Sequence, residues 1–492
     1  MRDRGSGMGG VDRSGVAEKR RVLADLHVHV GRAAGGPVKI TASPRLTPAA
    51  ALEESSDRKG LDAVAVVDAH SPRVLADLDR LVRSGELEPL PGGGLRRSGE
   101  RPLLLLPASE VEVVEHGLGP VHYLCYLPDL DTALGFSGFL SGRVTNVALG
   151  SPRARSSGEE LARWVGREGG FLVPAHVFTP HKGYFGQGGR DLSRHLSDRA
   201  LEAIPAVELG LSADTAMAEA VPSLGPFTFL SNSDAHSPET IAREHNALMV
   251  GEPRPAGPAA GEGSNPPGEM DFQTLFSAVR DGRVAANYGL DPRLGKYHRA
   301  FCPRCGFRAD LAEGARPSER AQAGAAADGR PGAGPGGRPG AGPDARPGAD
   351  AVGAANRRGV CPACGAREFV GGVFDRVLQL SGGGAVREAP GAEPGATREE
   401  GGRTGRPRRA RPPYVHQIPL RYVPGVGPAV VRRLIAAFGT ELRVLHEVEE
   451  EDLASVVGPR LAARLAAARR GTAALDIVPG AGGRYGRVRP PT

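Results

Sequence analysis

From Arg21 to about Arg299 the chain alternates short apolar runs with amphipathic stretches. The runs VLADLHVHV, GLDAVAVVDAH, PLLLLPASEVEVV, GPVHYLCYL, GGFLVPAHVF, AVELG and FTFLSNSDAH read as strands. Between them PAAALEESSDRKG and GEELARWVGREGG have helical periodicity. The second is preceded by Ser156 and Ser157 as N-cap candidates and carries acids in its first turn. Trp164 lies at helical spacing from Leu161, which assigns it to core packing. Strand, helix and strand in succession, with polar residues at the strand ends, predict a parallel α/β barrel over residues 21–299. Residues 251–269 read as a loop insertion, and from Pro412 to about Gly471 the pattern is again helical.

Composition changes this picture mainly outside the barrel. In 492 residues there are 71 glycines and 43 prolines, many of them in segments with almost no large apolar side chain to bury. Residues 1–20 therefore read as a disordered leader, 313–358 as a disordered insertion within a 300–380 zinc-ribbon domain, and 381–410 as a disordered basic linker. That linker ends in an arginine-rich run, Arg403, Arg406, Arg408, Arg409 and then Arg411, read as solvated chain that raises affinity for a polyanion. Residues 411–492 form a last, helical domain. Formal charge is +6, compatible with a nucleic-acid partner. Five cysteines are too few for a disulfide scaffold of this size, and no stretch approaches 18 apolar residues, so a reducing cytoplasm and no membrane are expected.

The informative chemistry lies at the strand ends. His27 and His29 form a His-x-His at the end of the first strand, and residues two apart share a face there. Asp68 and His70 end the second strand and Glu110 ends LLLLPASE. His122 lies on the next strand, His176 ends FLVPAH, and Asp234 and His236 end FTFLSNSDAH. In a parallel barrel these ends converge on one face. Mixed imidazole and carboxylate ligands suit zinc, manganese or iron more than calcium, and their number exceeds one tetrahedral site. Two or three divalent ions (zinc, manganese or magnesium) are expected, a grouping that fits phosphoryl chemistry. Asp234, Glu110 and His236 are the candidate catalytic residues.

The pairs Cys302-Pro-Arg-Cys305-Gly and Cys361-Pro-Ala-Cys364-Gly present four thiolates, a closed structural zinc site. Cys125 sits in an apolar strand and reads as an inert core residue. In the last domain Pro424-Gly425-Val426-Gly427-Pro428 precedes VVRRLIAAFG. Its Gly-Val-Gly turn suits a phosphate oxygen at a helix N-terminus, with Arg432 and Arg433 adding charge. VVGPRLAARLAAARR is a weaker second copy of the same pattern. Two loops are candidates for base recognition: RVTNVALGSPRARSS, with Asn146, Ser151 and Arg153, and HKGYFG, with Tyr184 and Phe185 for stacking. His181 and His195 fall in polar loop sequence and read as surface residues.

The order His27-Val-His29, Asp68 with His70, Glu110, His122, His176 and Asp234-Ala-His236 resembles the polymerase and histidinol phosphatase (PHP) superfamily. That resemblance implies a distorted (β/α)7 barrel with a trinuclear centre and Glu110 as the bridging carboxylate. His27, His29 and Asp234 would complete one site, His122 and His176 a second, and His70 and His236 would serve a third. The sequence departs from the family at Gly31-Arg32-Ala33-Ala34, where a further histidine is common, and at Asp68-x-His70, where Asp-His is usually adjacent. The series barrel, zinc ribbon, helix-hairpin-helix resembles the endonuclease Q family, with KYHRAFCPRCG, GVFDRVLQL, RPPYVHQIPL, DIVPGAGGRYG and PAHVFTP as supporting text. It implies a DNA repair endonuclease, cytoplasmic and nucleoid-associated, that cuts 5′ of deaminated bases (uracil, hypoxanthine, xanthine) or abasic sites. The sequence carries no signal for or against a sliding-clamp contact. A histidinol-phosphatase-like small-molecule enzyme has no use for the ribbon and hairpin, and a non-catalytic DNA-binding protein has no use for so full a ligand set.

Overall fold

The computed structural model describes residues 19–251, 270–307, 361, 364–367, 370–382, 386, 407–469 and 476–489. Nearly all of the leader 1–20 and the 251–269 loop, most of the 381–410 linker, and the whole 313–358 insertion lie outside the described residues. The fold is α/β. The barrel wall is built by β1 (Arg20–Val28), β2 (Ala63–Val66), β3 (Leu103–Val114), β4 (Pro120–Tyr126), β5 (Phe171–Pro174), β6 (Ala206–Glu208) and β7 (Thr228–Leu230). Every residue of β2 and all but the last of β3 are buried, as strands covered on both faces require.

Strands β1, β2 and β3 run parallel, with Ala24 opposite Ala63 and Val64 opposite Leu105. Then the direction reverses. Five residues, 115–119, separate β3 from β4, too few for a crossover, so the pair is an antiparallel hairpin with Glu112 opposite His122. β5 is antiparallel to β4 in turn, and β6 pairs parallel with β7. The expectation of an all-parallel barrel is corrected here: the sheet is mixed. The reversal has a consequence for the site. His122 stands near the start of a descending strand, and that start lies at the same mouth as the C-terminal ends of β1 and β3.

The wall closes through irregular backbone beyond β7. Ala235 N–H donates to the His27 carbonyl at 3.1 Å, and His29 N–H donates to the Ala235 carbonyl at 3.0 Å. The lower part of β1 instead pairs antiparallel with β8 (His245–Val250), which pairs with β9 (Val284–Gly289) and, through it, β10 (Tyr414–His416). This exchange of neighbours along β1 distorts the barrel. Outside the wall, α1 (Pro72–Arg83) buries Val74, Leu75, Leu78 and Leu81 as one stripe. α2 (Gly158–Arg167) is capped by Ser157, whose hydroxyl accepts from Glu160 N–H, and Trp164 packs on Phe136 with ring centroids 4.9 Å apart.

In the ribbon region α3 (Val373–Leu380) packs Val373, Phe374 and Val377 against the barrel core. The last domain comprises α4 (Pro428–Phe438), α5 (Glu441–His446), α6 (Glu450–Val457) and α7 (Pro459–Arg469). Val431, Leu434 and Leu442 join one apolar cluster with Val28, Val64 and Leu78 of the barrel, and Lys59 pairs with Glu441 at 2.8 Å in a buried contact. The solvated-linker reading does not describe the end of the arginine run. Arg409 donates to the Pro226 carbonyl, and Arg411 donates to the Leu224 and Phe227 carbonyls while lying 3.7 Å over the Phe229 ring. These carbonyls lie in the turn that leads into β7, and guanidinium groups can bond several such acceptors at once.

Candidate metal centre

The ligand-bearing side chains meet at the barrel mouth because three different backbone devices aim them there. Period-two alternation through the end of β1 and the residue just beyond it puts His27 and His29 on one face. The β3–β4 hairpin brings His122 back over Glu110. His176 and Asp234 lie past the strand ends and take left-handed backbone conformations, with φ of +30° and +45°. Ser151 (φ +48°) and Lys182 (φ +67°) line the same cavity. Such conformations cost roughly 1–3 kcal/mol each and persist where the surroundings over-determine them, which is typical of functional sites.

His27 Nδ1–H donates to Glu208 at 2.9 Å, which turns its Nε2 toward Glu110 and Asp234, 3.5 Å from an oxygen of each. His29 Nδ1–H donates to Asp68 at 3.1 Å, and its Nε2 is likewise 3.5 Å from Glu110 and Asp234. Both Nε2 atoms are buried without a hydrogen-bond partner. On the other side of Glu110, His122 Nδ1 is 2.6 Å and His176 Nε2 3.4 Å from Oε1. The ligand atoms form three overlapping triads, each within 4.8 Å: His27, His29 and Glu110; His29, Asp234 and His236; Glu110, His122 and His176. Orphaned buried imidazole nitrogens facing carboxylates, each ring anchored from behind by another carboxylate, fit a divalent ion better than they fit one another.

The electrostatics agree. Burial pushes the Glu110 carboxyl up, but His122 and Lys39 outweigh it and hold it well below the usual range. Burial acts the same way on Asp234 and is overcome by His236, His27 and His29. Burial lowers His236 to about 4, leaving a neutral ring able to offer a lone pair. The centre forms the floor of a cleft of about 680 Å³ whose walls include Lys39, Lys182, Arg243, Lys296 and Tyr485.

Similarity to known proteins coincides with this geometry. No family model matches the chain. The uncharacterized protein YqxK of Bacillus subtilis is 37% identical over 476 residues, 96% of this chain and all of that protein. The lesion-specific endonuclease PfuEndoQ of Pyrococcus furiosus matches in structure with a TM-score of 0.65 and 27% identity over 96% of each chain. Endonuclease Q in complex with a 27-mer duplex carrying an abasic lesion at the active site matches equally, at 0.65 and 28% identity, over 96% of this chain and 97% of that one. The chain belongs to the endonuclease Q family.

Within this endonuclease Q chain several expected residues take other places. His70 is not in any of the triads: Ser109 is 2.7 Å from its Nδ1, and its Nε2–H donates to the Leu149 carbonyl at 3.0 Å. With both nitrogens used by the protein, the ring has no lone pair to spare, so its expected role as a ligand is corrected. Asp68 also stands outside the triads and instead orients His29 and accepts from Val30 N–H at 2.7 Å. Tyr184 and Phe185 are fully buried, and the Tyr184 hydroxyl donates to the Asp191 carbonyl at 2.7 Å. Neither ring can stack on a base in this conformation, because both belong to the core under the loop. Arg153 is engaged by Glu112, and Asn146 is exposed and accepts from Ala148 N–H. Of the two candidate loops, Leu149–Ser151 and His181–Lys182 do line the cleft.

Residues that sequence reasoning passed over complete the centre. Glu208 holds His27 and also accepts from His176 N–H at 2.8 Å. It ends a strand, as the other acids do, so the same signal could have found it. Lys39 lies 3.1 Å from Glu110 in irregular backbone that carries no periodicity to read. Glu112 gathers His122, Lys182 and Arg153.

Elsewhere, the four cysteines converge: Cys302 and Cys364 sulfurs are 3.6 Å apart, as are those of Cys305 and Cys361. The glycines that follow each pair, Gly306 and Gly365, have φ of +72° and +68°, the conformation a side chain would resist. Cys125 is buried in the core. In the last domain Gly425 (φ +93°) and Gly427 are exposed at the N-terminus of α4, and Gly458 (φ +83°) makes the matching turn between α6 and α7. Arg432 and Arg433 are exposed on α4, with Arg433 reaching the Val456 carbonyl. Among the described residues no helix is long and apolar enough to cross a membrane.

Proposed function

We propose that this chain is a metal-dependent DNA repair endonuclease that hydrolyses the phosphodiester on the 5′ side of deaminated bases (uracil, hypoxanthine or xanthine) and of abasic sites. One observation carries the reading: three ligand triads share one floor, in a chain similar over 96% of its length to endonuclease Q. His27, His29, Glu110, His122, His176, Asp234 and His236 would hold two or three divalent ions, and the four thiolates one zinc. When bound, such ions acidify water and neutralise charge on phosphate oxygens.

The chain's own residues do the rest. Glu208 and Asp68 fix the tautomer and aim of His27 and His29. Lys39, Lys182 and Lys296 give the cleft a positive lining that draws the DNA backbone in. The exposed Gly425–Gly427 turn, with Arg432 and Arg433, would take up a phosphate away from the cut and set position without reading sequence. A lesion weakens pairing, so the target nucleotide is cheaper to extrude into the cleft than a normal one. The Leu149–Ser151 and His181–Lys182 segments both line that cleft and are the candidates to meet it.

The test is incubation with manganese or magnesium and labelled duplexes carrying one uracil, one hypoxanthine or one abasic site. A nick immediately 5′ of the lesion, absent in Asp234→Ala, is the expected result. Equal cutting of undamaged duplex would refute the lesion-specific part, and absence of any nick would refute the whole.

A further inference from the structure

The glycine-rich tail GAGGRYG lies beyond the hairpin helices, yet it returns to the barrel mouth. The amides of Gly480, Gly486 and Gly483 donate to the carbonyls of Arg293, Leu294 and Lys296 at 2.7, 2.9 and 3.3 Å. A side chain at Gly480 would stand 2.3 Å from the Gly295 carbonyl oxygen, so the two segments lie backbone to backbone. This docking puts Tyr485 in the wall of the catalytic cleft, with Lys296 Nζ 4.6 Å over its ring.

The Tyr485 hydroxyl accepts from Arg243 Nη1 at 2.8 Å. Arg243 is itself buried, faces the Tyr422 hydroxyl as well, and donates to two successive carbonyls: Nε to Ser233 at 2.8 Å and Nη2 to Asp234 at 3.2 Å. Those carbonyls flank the backbone turn in which Asp234 takes its φ of +45°. A non-glycine residue holds such a conformation only where neighbouring contacts impose it. A guanidinium bonded to both carbonyls imposes it, provided its own position is fixed, and a buried guanidinium donor without an acceptor would move to find one.

We propose that Tyr485 is a positioning residue of the barrel centre. Through Arg243, the C-terminal tail holds the 233–234 backbone so that the Asp234 carboxylate stays 3.5 Å from the Nε2 atoms of His27 and His29. The inference rests on the reading of that centre as the metal site of a nuclease. It makes the tail a working part of the active centre, although some 250 residues separate the two in sequence.

Tyr485→Phe in the full-length holoenzyme tests it, because the ring and the tail's backbone bonds remain and only the acceptor is lost. Two readouts are needed: kcat and KM on an abasic-site duplex, and manganese retained per chain after dialysis against graded chelator. The expected result is a fall in kcat of about tenfold with KM unchanged within about twofold, and loss of manganese at about tenfold lower chelator. Arg243→Lys, which cannot reach all three partners, should shift both readouts the same way. Wild-type kcat and retention in Tyr485→Phe would overturn the proposal, even if its melting temperature fell. So would a change in KM alone, which would make Tyr485 a DNA contact. If the unaltered protein nicks no lesion, the functional reading fails and the retention readout still decides: reduced retention in Tyr485→Phe supports the proposal, and equal retention overturns it.

Discussion

Among the described residues the chain carries two candidate metal sites, and they are built in opposite ways. The four-cysteine cluster is assembled from two short turns, each supplying two sulfurs and ending in a glycine of positive φ. The barrel centre draws seven ligand-bearing residues from His27 to His236, with carboxylates behind the rings and left-handed backbone at His176 and Asp234. The first has four soft ligands closed on themselves, which suits a strut. The second opens onto a cleft of about 680 Å³, which suits chemistry. A site that must only hold can be encoded locally, whereas a site that must also admit a substrate is dispersed over the elements that frame the opening.

This contrast can be broken by experiment. The largest effect is expected in the barrel: Glu110→Gln should lower nicking by about 10³-fold or more, roughly 4 kcal/mol of barrier, while the melting temperature moves little. A collapse of the fold would show that the barrel centre is a strut as well. Next comes the ribbon. Cys361→Ser should lose one metal equivalent and about 3 kcal/mol or more of stability by denaturant titration, with nicking per folded molecule within about tenfold of wild type. If the rate vanished in protein shown to be folded, the ribbon would be part of the active site. The smallest effect sharpens the picture. Glu208→Gln keeps the shape and one acceptor but removes the charge behind His27, so barrel metal affinity should fall about 10–100-fold, read by competition with a chelating dye. No change would mean that the anchoring carboxylate is dispensable.

Much of the barrel was legible in the sequence. The strand runs, the His27-Val-His29 pair and the Ser157 cap follow from periodicities that extend over only a few residues. The same local reading failed wherever a side chain's fate depends on a partner far along the chain. His70 has the sequence context of a ligand, but Ser109 and Leu149 consume its nitrogens. Tyr184 sits in glycine-flanked polar text that reads as a loop tip, yet its ring is sealed in the core. Lys39 and Arg243 carry no motif, and their roles depend on partners far along the chain, Glu110 at 71 residues for Lys39 and Tyr485 at 242 for Arg243. The reversal of strand direction at β4 was legible in the five-residue connection, though the alternating pattern alone suggested a parallel wall.

By itself the sequence determined the two cysteine turns, the glycine hairpins and which residue types could serve as ligands, because backbone freedom, alternation and donor chemistry are local properties. Which donors share an ion, which are diverted to orient a ring, and which distant segment walls the cleft were decided only when the chain closed on itself. Those outcomes depend on distances of a few ångströms between residues hundreds of positions apart, and such distances exist only in the folded state.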